Sequence, residues 1–572
     1  MSLLYFILLI GTLIFVHELG HFLFAKWMGV RVLTFSIGFG PKIWGFERNG
    51  TSYQLSAFPL GGYVKMLGED PTQEVPVEDR KDSLGSKAVW QRFLIVFAGP
   101  LFNLLLPFPI FFFFGLSQSS VLPPVVGTVT KDGPAWIAGI RPGDKIVKLG
   151  PKTIDAWWQM QQFVSDNPGR SMELVVERDG KRLTLKRVTP KLEYDWISQE
   201  LDIKREVGRL NVTPYFLKPI VAIAPDSPAA RSGLRTFDQV LTIDGASIKT
   251  ELEFVKRISA ARKPVSLTVL REVRTHDSVF EWVAREVKTL TLQPESLSQQ
   301  LTRAGPNAAL AATLRQRFAE SWTRGQGISS AELVVRHVVP GSAAFKAGLR
   351  PGDEVKALDG NEYPRWALFR YRIYQQPKTT HTLTVRRGAQ ELTLSLRLDS
   401  RSEKGELGSD QTVYRFGAHN RSEYVQVDLV PNQHRMVYAL RTSWRETMQA
   451  TSMTVLALVR LFQGRISSKE IGGPILIYDI AGKTTERGWG YFFQVMIYIS
   501  INLALINLLP IPLLDGGHIF FLLVEAVRRK PVSLRFREIA AYVGFSILIF
   551  LMVFAFKNDI GRKWDDIVNF FR

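Results

Sequence analysis

The chain has 572 residues, which is long enough for several domains. Only 46% of the residues are hydrophobic, so the chain is not a channel embedded in membrane throughout. Its formal net charge of +19 would suit a nucleic-acid partner, but no recognition motif accompanies the charge, so we expect no nucleic acid and a solvated basic surface near anionic lipid. Cysteine is absent, which excludes disulfides and thiolate metal ligands.

Four uncharged runs are long enough to cross a bilayer, which takes about 20 mostly apolar residues. They cover residues 1–16 (extended by 17–25), 93–130, 491–514 and 539–556. Buried core helices rarely stay apolar on every face for so long. We therefore predict a membrane protein with an α-helical four-span core. The first run has no basic segment before it and no cleavage site, so we expect it to be retained and not to act as a signal peptide.

The loops predict the orientation of the spans, which we place at residues 1–25, 92–117, 488–518 and 537–557. The connection before the last span is strongly basic and should be cytoplasmic; its cations are Arg528, Arg529, Lys530, Arg535 and Arg537. If the chain crosses the membrane four times, the loop 26–91 lies on the same side as this connection, in the cytoplasm. Both termini, the tail 558–572 and the long section between the second and third spans lie on the other side.

The first span ends in His17-Glu18-Leu19-Gly20-His21, the HExxH arrangement. Each residue of a helix advances about 100°, so both histidines can reach one metal ion. Ionisable residues inside a span are costly and usually functional, and three within five positions need a shared partner. The alternative, histidines satisfied within the helix bundle, explains Glu18 poorly. The motif predicts a zinc site with His17 and His21 as ligands and Glu18 as the catalytic base.

The loop 26–91 predicts a membrane-associated β-hairpin region, because alternating strands flank an Asn49-Gly50 turn. A sheet edge that dips toward the metal could pair with a substrate strand that has been unwound from its helix. Gly61 and Gly62 are therefore candidate substrate-binding residues. The alternative is a cytoplasmic hairpin that makes no contact with the substrate.

The section after the second span contains three copies of one pattern. They are GPAWIAGIRPGDKIVKLG from Gly133, SPAARSGLRTFDQVLTIDG from Ser227 and GSAAFKAGLRPGDEVKALDG from Gly341. The pattern resembles PDZ domains, so we predict three α+β PDZ-like domains at 118–210, 211–300 and 329–400, with linkers at 301–328 and 401–435. Such domains typically bind a peptide at a sheet edge, although they could also be simple spacers. The second copy departs from the others at Thr236-Phe237, which makes its turn harder to predict.

Residues 436–465 are moderately apolar and contain charged residues, among them Arg441 and Arg445. We predict an amphipathic helix in the membrane interface. If this helix crossed the membrane, Asp515 would lie on the side opposite to His17, and the metal site would fail.

The third zinc ligand is predicted from the stretch NLLPIPLLDGGH, where Pro510 and Pro512 break the helix before Asp515. Catalytic zinc commonly takes three protein ligands and a water molecule, and Asp515 is the best candidate in the apolar runs. His518 is a rival ligand. The amide of Asn507 could hold an unwound substrate backbone or could form a hydrogen bond between helices.

These motifs together resemble the site-2 protease family of intramembrane zinc metalloproteases, in particular its bacterial members that act in sigma-E regulation. The resemblance includes FVHELGH, GFGPKIW…FPLGGYVKM, SKAVWQRFLIVFAGPLFN, RISSKEIGGPILI and NLLPIPLLDGGH. It implies one zinc ion per chain, held by His17, His21 and Asp515. It also places Asn507, Pro510 and Pro512 in a substrate-positioning motif and Asn103 in a Gly-Pro-x-x-Asn motif, which we take as substrate-binding.

The same resemblance implies a bacterial inner membrane with the PDZ-like domains and both termini in the periplasm. The expected substrate is a membrane-spanning anti-sigma factor that another protease has already trimmed, and the PDZ-like domains would exclude untrimmed substrates. The chain departs from the best-known relatives in having three such domains where they have two. Two other functions remain open: a PDZ scaffold with a structural or inactive metal site, and a membrane-anchored protease that cuts soluble peptides.

Overall fold

The computed structural model describes residues 2–69, 75–198, 203–276, 281–363, 365–376, 379–388, 390–404, 410–425, 427–464 and 471–563. The chain divides into two compact units. The helical unit comprises residues 1–119, 404–410 and 433–572, and the strand-rich unit comprises residues 120–403 and 411–432.

The helical unit begins with one long helix, which is followed by a β-hairpin, two short 3-10 helices and two further helices. Its elements are α1 (Ser2–Trp27), β1 (Val32–Arg48), β2 (Thr51–Met66), two short 3-10 helices (Val77–Asp82 and Leu84–Ser86), α2 (Val89–Leu105) and α3 (Pro107–Ser117). Pro107 has no backbone N–H to continue the ladder of α2, so a new helix starts there. Together α2 and α3 form one stretch of 29 residues that is apolar enough to cross a membrane.

The β1–β2 hairpin turns at Asn49 and Gly50, as predicted, with φ values of 49° and 71° that suit a two-residue turn. Residues 32–37 pair with 62–66 and also with 52–55 on their other edge. The segment 62–66 therefore lies at the rim of the sheet, and within the described ranges no strand pairs with its outer side. The base of the hairpin packs in a cluster of Ala25, Val30, Val32, Phe35, Val64, Met66 and Ile95.

The strand-rich unit contains three modules in succession. The first has β3 (Ser120–Val121), β4 (Thr128–Val129), α4 (Pro134–Ala138), β5 (Lys145–Leu149), β6 (Lys152–Thr153), α5 (Trp157–Ser165), β7 (Met172–Arg178), β8 (Lys181–Val188), β9 (Lys191–Ser198), β10 (Ile203–Arg209) and β11 (Val212–Thr213). The second has β12 (Val221–Ile223), α6 (Pro228–Arg231), β13 (Gln239–Ile243), β14 (Ala246–Ser247), α7 (Glu251–Ala260), β15 (Val265–His276), β16 (Glu281–Leu292), α8 (Leu297–Ala304), α9 (Ala308–Glu320), α10 (Trp322–Gly325) and β17 (Ile328–Ser330). The third has β18 (Val335–Val338), α11 (Ala343–Lys346), β19 (Glu354–Leu358), β20 (Asn361–Glu362), α12 (Trp366–Gln375), β21 (His381–Arg387), β22 (Gln390–Leu396), β23 (Asp399–Lys404), β24 (Asp410–Arg415), β25 (Ala418–Asn420) and β26 (Val430–Pro431).

The three modules share one arrangement of strands. Their four-stranded sheets have the orders β6-β5-β7-β8, β14-β13-β15-β16 and β20-β19-β21-β22. The repeated sequence is therefore a repeated structure of mixed α+β type. That each module is a PDZ domain stays a prediction.

The aspartate that each repeat contains is structural. It pairs with an arginine of the third sheet strand: Asp144–Arg178 at 2.6 Å, Asp238–Arg271 at 2.6 Å and Asp353–Arg387 at 2.7 Å. Phe237 stands where the other copies have Gly143 and Gly352, and it adopts the same left-handed conformation, with φ of 74° beside 93° and 90°. The turn of the second module is therefore kept despite its different sequence.

The predicted linkers are wrong, because both segments complete the modules before them. Residues 301–328 contain most of α8 to α10, and β17 pairs with β12 to close the second module. Residues 401–435 contain β24 to β26, and β25 pairs with β18 to close the third. The first module also ends later than residue 210, since β11 pairs with β4. The missed signal was the capping box of α8, in which the Ser296 backbone N–H donates to Gln299 Oε1 at 2.7 Å.

Arg365, at the start of α12, connects the third module to the first and to the segment that follows it. Its Nη2 donates to Thr128 Oγ1 at 2.5 Å and to the Tyr215 carbonyl at 3.2 Å. Its guanidinium also lies 5.5 Å from the centre of the Tyr424 ring. The residue is only 6% exposed, so these contacts hold a buried charge that would be costly without partners.

The helical unit resumes after residue 432 with α13 (Arg435–Phe462), α14 (Pro474–Gly482), α15 (Thr484–Asn507), α16 (Asp515–Arg528) and α17 (Leu534–Arg562). In the described part of the chain, four helical stretches are long and apolar enough to cross a membrane: Ser2–Trp27, Val89–Ser117, Glu486–Asn507 and Leu534–Arg562. The four predicted spans are therefore confirmed as helices of that kind. The predicted tail 558–572 is corrected at its start, because α17 continues to Arg562; residues 564–572 lie outside the described ranges.

Helix α13 occupies nearly the range predicted for an interfacial helix. It packs on α3, where Arg435 Nη2 donates to the Leu116 carbonyl at 2.5 Å and a Cβ on Gly115 would lie 2.7 Å from the Cα of Ala439. Ala450 belongs to a cluster with Ile497 and Ile501 of α15. These contacts were not predicted. The placement of α13 in the membrane interface stays a prediction.

Candidate metal centre

His17 and His21 lie one turn apart on α1, and Asp515 is the first residue of α16. The two Nε2 atoms are 3.3 Å apart, His17 Nε2 lies 3.1 Å from Asp515 Oδ2, and His21 Nε2 lies 3.5 Å from Asp515 Oδ1. A tetrahedral zinc ion with bonds of about 2.0–2.1 Å separates its donor atoms by roughly 3.3 Å. The three side chains thus have the spacing of three corners of such a site.

The hydrogen bonding of His21 prepares it for a metal. Its Nδ1 lies 2.9 Å from the Ile95 carbonyl, which can only accept, so Nδ1 carries the hydrogen and Nε2 presents a lone pair. That lone pair faces His17 and the Asp515 carboxylate, in a place where the two histidines are 9% and 8% exposed. Such a convergence of electron-rich atoms is unfavourable unless a cation is shared. The residues present therefore fit zinc.

No other group of three potential ligands lies this close together within the described ranges. The rival ligand His518 is exposed and is not part of the cluster. The geometry therefore supports Asp515 as the third ligand.

Two glycines allow α1 and α2 to approach closely at the centre. A Cβ on Gly20 would lie 2.3 Å from the Ala98 carbonyl oxygen, and a Cβ on Gly99 would lie 2.2 Å from His21 Nε2. Close approach through small residues is how membrane helices commonly pack. Sequence reasoning missed the Ile95 carbonyl and gave no role to Gly99, which is the first residue of the Gly-Pro-x-x-Asn motif. The small residues Ala98 and Gly99 within a large apolar run were the available signal for the helix contact.

Glu18 faces the same centre. Its carboxylate interacts electrostatically with His17, His21 and Asp515. The edge segment 62–66 lies beside it, since a Cβ on Gly62 would be 3.0 Å from Glu18 Cγ and 2.8 Å from Ile14 Cγ2. Gly61, with φ of 144°, precedes this contact. The structure therefore brings the hairpin edge to the predicted base, while substrate binding by Gly61 and Gly62 stays a prediction.

The loop between α15 and α16 is tightly turned. The N–H of Ile511 donates to the Leu509 carbonyl at 2.7 Å, and Leu513 has a left-handed φ of 90°, a conformation that is costly for a residue with a side chain. Pro510 and Pro512 lie in this loop and Asn507 ends α15, as the predicted helix break requires. A substrate-positioning role for these three residues stays a prediction.

Asn103 supports a metal ligand. It is 0% exposed, and its Nδ2 lies 3.3 Å from His17 Nδ1. Its Oδ1 has no hydrogen-bond partner among the described residues. If the amide group is rotated by half a turn, Oδ1 accepts the Nδ1–H of His17 and leaves Nε2 free for the metal. This contact supports a role for Asn103 in orienting His17. That Asn103 binds substrate stays a prediction.

We expect Asn103→Ala to weaken zinc binding by about 10- to 100-fold, the usual effect of removing a partner that orients a metal-bound histidine. The measurement is zinc affinity of the purified protein by chelator competition. Asn103→Asp keeps an acceptor oxygen and should bind zinc more tightly than the alanine variant. Equal affinities for the alanine variant and wild type would contradict this role.

Comparisons with known proteins agree with this geometry. Residues 5–551 match the model of peptidase family M50. The regulator of sigma-E protease RseP of Escherichia coli is 28% identical over 566 residues, which cover 97% of this chain and 98% of that protein. A Ralstonia nicotianae protein named as a zinc metalloprotease is 27% identical over 579 residues, which cover 98% of both chains.

Among solved structures, a PDZ domain protein of Parabacteroides distasonis aligns with 55% of this chain and 97% of its own length. The identity is 12% and the TM-score is 0.12.

Proposed function

This chain belongs to peptidase family M50, and we propose that it cleaves a membrane-spanning segment of a single-span protein within the bilayer. The family and the named zinc metalloprotease among the relatives make it a zinc metalloendopeptidase. The names of the RseP relatives refer to the regulation of sigma-E. We carry that role over to this chain as part of the proposal.

The observation that carries the proposal is the convergence of His17, His21 and Asp515 at zinc spacing beside Glu18. Two of the ligands belong to α1, which is apolar enough to cross a membrane. A purely structural metal site would have no need of Glu18. The arrangement therefore favours a peptidase over a scaffold with an inactive site.

Each side chain has a defined task in this reaction. His17, His21 and Asp515 would hold one zinc ion, which would supply Lewis-acid chemistry that makes water a better nucleophile at neutral pH. Glu18 accepts the proton of the attacking water and then delivers it to the nitrogen of the departing amine. Asn103 and the Ile95 carbonyl keep the two imidazoles in the orientation that ligation needs.

A substrate that spans the membrane is helical, so its carbonyls are already hydrogen-bonded and must be released before water attacks. The rim segment 62–66 lies next to Glu18, and no described strand pairs with its outer side. An unwound substrate strand can add to this edge. Asn507, Pro510 and Pro512 lie in the loop that leads to Asp515, where they would hold the other side of that strand.

The proposal includes an orientation and a partner. The basic connection between α16 and α17 would face the cytoplasm, which places the metal centre near the cytoplasmic side of a bacterial inner membrane. The termini and the three modules would then be periplasmic. The modules, as PDZ-like domains, would admit only a substrate trimmed by another protease, such as an anti-sigma factor.

The test offers three substrates to the purified full-length chain in liposomes. They are a soluble peptide, a single-span protein with a large outer domain, and the same protein with that domain removed; all three contain the same cleavable sequence. We expect cleavage of the spanning substrates only, faster for the trimmed one. A chelator should stop cleavage, and added zinc should restore it.

Each alternative function predicts a different pattern of cleavage among the three substrates. Equal cleavage of the soluble peptide would indicate a surface protease. Stable zinc binding without cleavage of any substrate would indicate a structural metal site. Equal rates for the trimmed and untrimmed proteins would refute the selective role of the modules while leaving the peptidase intact.

A further inference from the structure

A partly buried ion pair joins α2 to α16. Arg92 Nη2 and Nη1 donate to Glu525 Oε1 and Oε2 at 2.6 and 3.2 Å, the two-pronged geometry of the strongest arginine–carboxylate pairs. The side chains are 18% and 11% exposed. Arg92 Nε also donates to the Lys87 carbonyl at 3.1 Å, so all three guanidinium nitrogens are engaged. None of the catalytic steps uses this pair.

A third helix meets the same carboxylate. Arg537, in the first turn of α17, lies 3.8 Å from Glu525 Oε2. Phe536 beside it contacts Phe521 of α16, with ring centres 6.4 Å apart. Glu525 is therefore the point at which α2, α16 and α17 are held together.

The position of this pair links it to the zinc ligands. Arg92 and Ile95 are three residues apart and lie on the same face of α2. The Ile95 carbonyl holds His21, while Arg92 holds α16, whose first residue is Asp515. Glu525 lies ten residues after Asp515, about 15 Å along the helix axis. One turn of α2 thus carries contacts to both helices that supply ligands.

We propose that Arg92 and Glu525 are positioning residues that keep Asp515 at the distance from His17 and His21 that zinc requires. They act through α16, because Glu525 lies on the helix that begins at Asp515, and neither residue is one of the three ligands. Removal of one partner leaves an uncompensated charge at the helix contact, and α16 is then free to shift along α2. The inference rests on the proposed function, because it treats the centre as a zinc site.

The test compares Arg92→Glu, Glu525→Arg and the double variant that exchanges the two charges. For each, we measure zinc affinity by chelator competition and the visible spectrum of the cobalt-substituted protein, which reports the ligand geometry. We expect each single variant to bind zinc about tenfold more weakly and to show a distorted cobalt spectrum. The exchanged pair should recover part of the affinity, since an arginine at position 525 would also lie beside Arg537. Each single variant should have a lower kcat than wild type, with a nearly unchanged KM.

Arg31→Gln is the matched control, since Arg31 pairs with Asp79 at 2.7 Å but touches none of the ligand-bearing helices through that pair. If the charge reversals fail to fold, Glu525→Gln keeps the size of the side chain and takes their place. Unchanged affinity and spectrum in folded variants would overturn the inference, and so would a loss that the exchange does not recover. Absence of zinc binding by the wild-type protein would instead refute the proposed function.

Discussion

Replacement of Glu18 by glutamine is expected to lower cleavage by a factor of about 100 to 10,000 while zinc stays bound. Glutamine keeps the size of the side chain but cannot accept the proton of water at neutral pH. His17, His21 and Asp515 are unchanged, and their spacing does not depend on Glu18. The measurement is the single-turnover cleavage rate of a spanning reporter together with zinc content.

Glu69→Gln is the matched control for this prediction. Glu69 is the other carboxylate that acts electrostatically on Glu18, and its Oε2 accepts a hydrogen bond from the Met66 backbone N–H at 3.0 Å. Removal of its charge should leave cleavage near the wild-type rate. If Glu18→Gln cleaved as fast as wild type, Glu18 would not be the base; loss of zinc from that variant would point instead to a role in metal binding.

Addition of one methyl group at Gly99 is expected to disable the metal centre about as thoroughly as the replacement of Glu18. A Cβ there would lie 2.2 Å from His21 Nε2, well inside ordinary contact distance, so the imidazole must move by about 1 Å. Displacement of a catalytic group by about 1 Å can cost about 100-fold in rate. We expect Gly99→Ala to lose zinc affinity and cleavage by at least about that factor.

The fold should survive this substitution, because alanine is favoured over glycine inside a helix by about 1 kcal/mol. Gly11→Ala in α1 is the control, since a Cβ at that position meets nothing within 4 Å. Zinc affinity, cleavage rate and thermal unfolding are measured for both variants. A Gly99→Ala protein that binds zinc as tightly as the control would show that α2 does not constrain His21.

The sequence alone predicts the role of Glu18, but it does not predict the contact of Gly99. Glu18 is recognisable from its neighbours, because HExxH is a spacing within one helix. The importance of Gly99 depends on the packing of α2 against α1, and no pattern near Gly99 indicates which side chain it faces. Asn103 shows the same limit. Its motif marked it as functional, but only the tertiary structure shows its 3.3 Å contact with His17.

The modules give a further example. The sequence repeats revealed three copies, because each copy contains the same turn and the same aspartate, which the structure pairs with an arginine. The ends of the copies were misjudged, since a module closes with a strand that pairs far back along the chain, as β25 does with β18. Such a strand is short and has no local pattern of its own, so it was taken for a linker.

By itself the sequence determined the features that depend on residues a few positions apart. These are the four apolar helices, the Asn49-Gly50 turn, the break at Pro510 and Pro512, and the two histidines on one helix face. The tertiary structure decided how the distant parts meet: Asp515 with His17, the Ile95 carbonyl with His21 across 74 residues, and Ser500 with the Asn103 carbonyl across 397. The physical reason is that spacing along a helix follows from local geometry, whereas the approach of two helices depends on the shapes and charges of both.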